Sequence, residues 1–234
     1  MTLSDDRIDC LIPAGSSLPG GAGVGCLLVY DFLSKECLMR LDSLQESLAG
    51  ESESYNMNAA RKFFNDDETP FGSSSSSSSS SSCKVEETGC IAKIIKSSLN
   101  SRVRGIHVLK VLPSMRFIEY GPGGRIAPHT DGVQYDESTK LQSTTSFLLY
   151  LRDVDEGGET AFLAGGQWKW PSSMNAEQRK RWNRSQNDDV VQVLAAARPK
   201  RNAILLFPHG APHRGNAVYD SKICLRGDII CASS

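Results

Sequence analysis

The chain has 234 residues, 26 lysines and arginines against 27 aspartates and glutamates, and a formal net charge of −1 at pH 7. Because the two signs are mixed and form no basic stripe, the composition argues against a phosphate-backbone partner, and we expect no nucleic-acid binding. The length suits one large domain.

The N-terminal sequence MTLSDDRIDC is acidic where a secretory signal needs a basic start and a continuous apolar run. No window reaches the roughly 18 consecutive apolar residues of a membrane span. Seven cysteines without a CxxC spacing favour reduced thiols over a disulfide framework or a zinc finger. We therefore expect a soluble intracellular protein, cytoplasmic or nuclear, with no membrane partner. The pattern leaves the oligomeric state open.

Residues 1–24 are polar and then rich in glycine and other small residues, which lack the apolar surface needed to order a chain. They predict a flexible leader, followed by a single domain over residues 25–234. The uninterrupted serine run Ser73–Ser82 has nothing to bury. It predicts a flexible serine-rich insertion at about residues 66–83.

Two helices are predicted ahead of the main strands. After a short apolar strand, CLLVY, Ser34 is a candidate N-cap for a segment in which leucines recur at helical spacing, and Gly50 marks its expected end. A second helical pattern, IAKIIKSSLNSRV, begins after Cys90. We expect the two helices to pack side by side and to support a core from outside.

A series of strand-like segments follows the second helix. Each is rich in apolar and β-branched residues and is bounded by glycine, proline or aspartate. The segments are HVLKV, MRFIEY, RIAPHTD, TTSFLLYL, VVQVLAA, AILLF and KICLRGDII. The predicted fold class is therefore α+β, dominated by an all-β core.

The chain contains one His-x-Asp motif, formed by His129 and Asp131. Alternate residues of a strand share a face, so the two side chains should project together. The favoured third ligand is His213, just after the apolar run AILLF, and His209 stays open as its competitor. Two imidazoles and one carboxylate are the ligand set of non-haem Fe(II) oxygenases. An isolated His-x-Asp is also common in proteins as two polar residues at the surface of a strand.

Four segments together carry a resemblance to a known family. RFIEYGPGGRIAPHTDG, TTSFLLYLRDVDEGGETAF, NAILLFPHGAPHRGNAV and KICLRGDII resemble, in order and spacing, the prolyl 4-hydroxylase-like 2-oxoglutarate and Fe(II)-dependent dioxygenases. The resemblance covers roughly residues 106–231. It implies a double-stranded β-helix (jelly-roll) core with supporting N-terminal helices, and iron held by His129, Asp131 and His213.

The resemblance also implies a cosubstrate site. Lys222 lies nine residues after His213, one fewer than is common in the family, and is the candidate cation for the distal carboxylate of 2-oxoglutarate. Arg226 shares its strand parity and is the reserve candidate, with a surface ion pair to Asp228 as the alternative. Tyr120 is the candidate pocket tyrosine, with an ordinary core ring as the alternative.

The resemblance further implies an enzyme in which Fe(II) and O2 convert 2-oxoglutarate to succinate and CO2 while a substrate C–H bond is hydroxylated. The expected substrate is a prolyl or other side chain of a protein or peptide, or else a small molecule, with ascorbate as a candidate reductant. Two alternatives stay open. One is a catalytically silent jelly-roll that binds or senses, and the other is a metal hydrolase or isomerase, which would need no buried cation at Lys222.

The long interruption over residues 165–189 contains Trp168, Trp170 and Trp182, all three tryptophans of the chain. Loops longer than about 12–15 residues inside a compact domain are usually functional or disordered. The rings would either cap an edge of the barrel or form a lid at the iron site, with residues 179–181 supplying positive charge.

Overall fold

The computed structural model describes residues 7–48, 53–55, 59–66, 90–164 and 192–232. The serine run and the tryptophan-containing interruption, for which a flexible insertion and a lid were predicted, lie outside these residues. Within the described ranges, neither helix has the length and apolar character needed to cross a membrane.

The elements follow the predicted order of helices before the main strands. They are β1 (Ile8–Ile12), β2 (Cys26–Val29), α1 (Lys35–Ser47), β3 (Glu53–Tyr55), β4 (Ala59–Asn65), α2 (Ile91–Arg102), β5 (Val108–Val111), β6 (Ser114–Tyr120), β7 (Ile126–His129), β8 (Tyr135–Asp136), β9 (Leu141–Gln142), β10 (Thr145–Tyr150), β11 (Thr160–Leu163), β12 (Val193–Ala197), β13 (Ile204–Pro208), β14 (His213–Gly215) and β15 (Lys222–Cys231).

Two antiparallel sheets form the core. The large sheet has the order β1-β2-β13-β10-β15-β6-β4-β3, with β5 also paired to β15, and the small sheet has the order β12-β11-β14-β7. An apolar cluster joins them, with Leu148 and Phe207 from the large sheet and Phe162 and Ala197 from the small one. This antiparallel two-sheet arrangement confirms the predicted jelly-roll core.

The large sheet buries both of its faces. On β10, Phe147 and Leu149 join a cluster that contains the buried sides of both helices, whereas Leu148 and Tyr150 face the small sheet. Because side chains alternate along a strand, such a strand must be apolar at nearly every position. This accounts for the continuous apolar run FLLYL.

The two helices are capped in different ways. In α1, Ser34 accepts a hydrogen bond from the Cys37 amide at 3.2 Å, which agrees with the predicted N-cap. In α2, the local cap position, Cys90, makes no side-chain cap bond. The carboxylate of Asp66, at the end of β4, instead accepts from the backbone amides of the first two helical residues, at 3.2 and 2.8 Å. A capping carboxylate also suits the positive end of the helix dipole.

Two segments differ from the sequence-based expectation. Residues 8–12 of the expected flexible leader form β1, because their backbone pairs with β2 and the side chain of Ile12 is buried. Residues 59–65, in a stretch that lacks a periodic pattern, form β4 against β6. The signal of β4 is weak because Arg61 and Lys62 interrupt its apolar residues.

Gly227 provides a test of the packing between the sheet and the helices. A Cβ at this position of β15 would lie 2.5 Å from Cε1 of Phe147 and 3.0 Å from Cγ of Met115. We therefore expect Gly227→Ala to lower the free energy of unfolding by about 1–3 kcal/mol, measured by urea denaturation. The control is Gly210→Ala, whose Cβ would meet nothing within 4 Å. Equal stability of the two variants would contradict this account of the packing.

Candidate metal centre

The two histidines of the candidate centre come from adjacent strands of the small sheet. His213 on β14 pairs directly with His129 on β7, and their ring centroids lie 4.3 Å apart. Asp131 follows two residues after the end of β7. One ligand atom from each of the three side chains lies within 4.8 Å of the others. The structure thus brings together the three residues proposed from the sequence.

Backbone hydrogen bonds orient both imidazoles. Nδ1 of His129 lies 2.8 Å from the carbonyl oxygen of Ala127, and Nδ1 of His213 lies 2.9 Å from that of Ala211. Because a carbonyl oxygen can only accept, each Nδ1 carries the proton and each Nε2 keeps its lone pair. Nε2 of His129 lies 3.7 Å from Oδ1 of Asp131.

Burial also sets the protonation state of these rings. It lowers the pKa of His129 to about 4, with the charge of His213 acting in the same direction and that of Asp131 opposing it. Burial likewise lowers the pKa of His213. The His129 ring is therefore neutral at pH 7, which is the form that binds metals.

Asp131 presents its two carboxylate oxygens to different partners. Oδ2 accepts from Oγ of Ser146 at 2.5 Å and lies 3.2 Å from Nη2 of Arg226, whereas Oδ1 is the oxygen near His129. Burial alone would raise the pKa of Asp131, but Arg226, both imidazoles and the Ser146 hydrogen bond hold it well below its usual range. The carboxylate is ionised, with Oδ1 directed to the centre.

Arg226 forms ion pairs with two carboxylates. Besides Asp131, its Nη1 donates to Oδ2 of Asp228 at 2.6 Å. The alternative of an ion pair with Asp228 is thus present, but Arg226 is 4% and Asp228 3% exposed, so the pair is buried and its expected surface position is wrong. Burial acts to lower the pKa of Arg226, but the two carboxylates together raise it. The pair is internal because β15 carries both residues on the face turned to the small sheet.

His209 does not join the cluster of three. Its Nδ1 bonds Oγ of Ser146 and its Nε2 bonds Oγ of Ser143, both at 2.8 Å. Its backbone carbonyl accepts from the Asp131 amide at 2.9 Å. His209 therefore contacts Asp131 through its own backbone carbonyl and through Ser146. The geometry favours His213 as the third ligand.

Lys222 is a buried cation. It is 1% exposed, its Nζ donates to the carbonyl oxygen of Gly158 at 2.7 Å, and it lies over the rings of Tyr120 and Tyr150 at 4.9 and 5.4 Å. Among the residues that the structure describes, no carboxylate forms an ion pair with it. Burial lowers its pKa, and an anionic ligand beside it would oppose that shift by stabilising the ammonium form.

The glycine turn after β10 supplies the partner of this lysine. Gly157 and Gly158 have φ angles of 74° and 70°, a region that favours glycine. The two glycines of the GGET sequence therefore permit this tight connection. The turn directs the Gly158 carbonyl at Nζ of Lys222 and so fixes the position of the ammonium.

The three candidate ligands open into one cavity, with about 420 Å³ of empty space, part of it open to solvent. Its walls are aliphatic and aromatic side chains, one tyrosine, one threonine and three arginines. The lining consists of His129, Asp131, His213, Tyr120, Thr160, Ile118, Ile126, Leu148, Phe207, Gly215, Arg61, Arg116 and Arg226.

Sequence reasoning missed Ser146, Arg61 and Arg116. Arg116 could have been found, because it shares strand parity with Tyr120 and must lie on the same face of β6. Ser146 and Arg61 could not, because the first acts through a contact with Asp131 and the second lies on the unpredicted strand β4.

Comparisons with known proteins agree with this geometry. A family model described as the 2OG-Fe(II) oxygenase superfamily matches residues 115–227. The human prolyl 4-hydroxylase subunit alpha-1 is 29% identical over 90 residues, which are 35% of this chain and 17% of that protein. The chain thus spans about a sixth of the length of this relative.

Solved structures show a similar fold. A prolyl-4-hydroxylase of Pseudomonas putida is 13% identical, with a TM-score of 0.50 over 89% of this chain and 94% of that one. A prolyl hydroxylase of Trichoplax adhaerens, in complex with a peptide fragment of the hypoxia inducible factor oxygen degradation domain, is 16% identical, with a TM-score of 0.50 over 88% and 83%. At these identities the likeness supports the fold alone.

The ligand assignment predicts the effect of four substitutions on metal binding. His129→Ala, Asp131→Ala and His213→Ala should each abolish tight Fe(II) binding, because each removes one of three ligands. His209→Ala should keep measurable binding. Anaerobic equilibrium dialysis with Fe(II) measures the affinities. Loss of binding in His209→Ala together with retention in His213→Ala would reverse the assignment.

Arg226 should act on the metal through Asp131. We expect Arg226→Gln to weaken Fe(II) binding by about 10- to 100-fold, because residues that orient a ligand typically contribute this much. Arg226→Lys, which keeps the charge, should lose less. Arg201→Gln is the matched control, since Arg201 pairs with Asp42 outside the cavity. Fe(II) affinity that is unchanged in Arg226→Gln would show that Asp131 needs no such support.

Proposed function

We propose that this chain is an Fe(II)- and 2-oxoglutarate-dependent dioxygenase of the 2OG-Fe(II) oxygenase superfamily, whose family model matches residues 115–227. It hydroxylates a substrate C–H bond and releases succinate and CO2. The observation that carries this proposal is a buried lysine, Lys222, that has no carboxylate partner among the described residues and lies beside the cavity in which His129, Asp131 and His213 converge.

The donor set fits ferrous iron. Nε2 of His129, Nε2 of His213 and Oδ1 of Asp131 would hold the ion through two nitrogens and one oxygen, a donor set that suits Fe(II) and leaves room for further ligands. Fe(II) held there would supply the activation of O2. The backbone hydrogen bonds at both Nδ1 atoms keep the histidines in the ligating tautomer.

Lys222 binds the distal carboxylate of 2-oxoglutarate in this proposal. Its ammonium has already lost its hydration, and a carboxylate partner would offset that cost. Tyr120 lies directly opposite Lys222 in the register of β6 and β15 and lines the cavity, so its hydroxyl is positioned to donate to the same carboxylate. Arg226 is the weaker candidate for this role, because Asp131 and Asp228 already occupy its guanidinium.

The walls of the cavity would shield the reacting atoms from water. Ile118, Leu148 and Phe207 line the cavity together with the three candidate ligands. Their apolar surface leaves few competing hydrogen-bond partners near the metal. In such surroundings the metal and cosubstrate carry the oxidation, and the protein supplies position and polarity.

A prolyl or other side chain of a protein or peptide is the proposed substrate, with ascorbate as the proposed reductant. The support is the family and the printed functions of the human, Pseudomonas putida and Trichoplax adhaerens relatives. An intracellular location, cytoplasmic or nuclear, is also proposed. The six cysteines within the described ranges are free thiols, as expected in a reducing compartment.

A hydrolase or isomerase that uses the same metal ligands is less well supported. Such an enzyme has no need of Lys222, and burying an unpaired ammonium costs free energy. The first test is therefore the consumption of 2-oxoglutarate and the appearance of succinate under air, with and without Fe(II). His129→Ala serves as the blank, and a wild-type protein that makes no more succinate than this blank would refute the proposal.

Lys222 should set the affinity for the cosubstrate. Removing one partner of a buried charge pair typically costs about 2–5 kcal/mol. We therefore expect Lys222→Ala to raise the KM for 2-oxoglutarate by tens of fold or more, with Fe(II) affinity retained. An unchanged KM in Lys222→Ala, together with a raised KM in Arg226→Lys, would move the carboxylate site to Arg226.

A further inference from the structure

The inner face of the large sheet carries positive charge at two separate levels. In the register of β6 and β15, Lys222 lies opposite Tyr120, and Arg226 lies opposite Arg116. Lys222 and Arg226 are four residues apart on one strand, which is about 13 Å in an extended chain. A cosubstrate carboxylate held at Lys222 is therefore remote from the arginine level.

Of the two paired arginines, Arg226 has carboxylate partners and Arg116 has none among the described residues. Arg226 is shared by Asp131 and Asp228. Arg116 forms no ion pair with any carboxylate of the described residues, and its Nε is buried without a hydrogen-bond partner. Burial, followed by the charges of Arg226 and Arg61, lowers the pKa of Arg116 to about 10. It remains charged at pH 7, beside two other cations.

Arg116 also connects the metal cavity with an outer groove. It lines the cavity of His129, Asp131 and His213, together with Arg61. It lines as well a neighbouring groove, of about 790 Å³ and open to solvent, with Phe63 and Tyr135. These two rings are 46% and 51% exposed, and the Arg116 guanidinium lies 5.8 Å from the Phe63 ring centroid. A chain lying in the groove would reach the metal by passing Arg116.

We propose that Arg116, with Arg61 beside it, binds a carboxylate of the substrate, so that the enzyme acts on acidic substrates. The inference rests on the proposed function and deepens it. The carboxylate is either an aspartate or glutamate side chain next to the oxidised residue of a peptide, or the α-carboxylate of a free amino acid. Guanidinium groups suit this role because they bind carboxylates in a fixed geometry.

The substrate class can be tested with matched probes. Two pools of short peptides share a central proline and have either Asp/Glu or Asn/Gln at the flanking positions. Proline and glutamate are compared with their α-amides as the free amino acid arm. Wild type, Arg116→Gln, Arg116→Lys and Arg104→Gln are assayed for stimulated 2-oxoglutarate decarboxylation. Perturbation of the visible absorption of the anaerobic Fe(II)–2-oxoglutarate complex reports binding. Arg104 is the control because it is exposed and lines neither cavity.

We expect one acidic arm to be bound about ten-fold or more tightly than its amide counterpart, as a charge-assisted hydrogen bond provides. The peptide or the amino acid arm that responds identifies the source of the carboxylate. Arg116→Gln should lose the preference with the KM for 2-oxoglutarate unchanged, Arg116→Lys should keep part of it, and Arg104→Gln all of it.

Three results would overturn the inference. They are no preference for either acidic arm, a preference that survives in Arg116→Gln, and a raised KM for 2-oxoglutarate in Arg116→Gln, which would assign the residue to the cosubstrate. In each case, Fe(II)-dependent basal consumption of 2-oxoglutarate by the wild type would leave the proposed function standing. A wild type that consumes none would refute the proposed function, and this inference with it.

Discussion

The large sheet is sandwiched, with helices on one side and the small sheet on the other, and this constraint governs its sequence. Residues of β10 and β15 alternate between an apolar layer against α1 and α2 and the inner surface that faces the metal centre. Because the period is two, a shift of one residue in register would exchange the two sets. Phe147 would then enter the cavity, and Arg226 would enter the apolar layer. Correct pairing of β15 with β6 and β10 is thus a condition for both the core and the site.

Placing charges on that inner surface has a free-energy cost, and the structure offsets it unevenly. Arg226, Asp131 and Asp228 form a buried group in which Ser146 supplements the ion pairs by donating a hydrogen bond to Asp131 and accepting one from Arg226. Such groups contribute little net stability, but removing one member strands the others. Lys222 and Arg116 lack a carboxylate among the described residues. Arg116 lines the metal cavity, and Lys222 lies over the ring of Tyr120, which lines the same cavity. The two basic residues without a carboxylate partner, Lys222 and Arg116, therefore lie where anionic ligands are proposed to bind. Arg226, which has two carboxylate partners, contacts the candidate metal ligand Asp131.

Helix-terminal and strand signals in the sequence were reliable where the determining contacts are local. Ser34 accepts a hydrogen bond from the amide of a residue three positions on, and the apolar runs of β6 and β10 are visible without knowledge of their neighbours. Contacts made across the fold left no such signal. The cap of α2 comes from Asp66, the residue after β4, and β1 and β4 are strands because β2 and β6 offer them hydrogen-bonding edges. In both cases the stabilising group is distant in sequence.

The amino-acid sequence was enough to predict the resemblance to the 2-oxoglutarate oxygenases, the jelly-roll core, His129 and Asp131 as candidate metal ligands, and Lys222 as the candidate cation, because each depends on the type and spacing of residues along the chain. The preference for His213 over His209 needed the folded structure to support it, since both histidines follow the same apolar strand and differ in which partners their rings meet. The folded structure alone placed Arg226 behind Asp131 and Arg116 at the junction of two cavities. A guanidinium has the same sequence signature whether it is solvated, paired or facing an empty cavity, and the difference arises from neighbours that folding brings together.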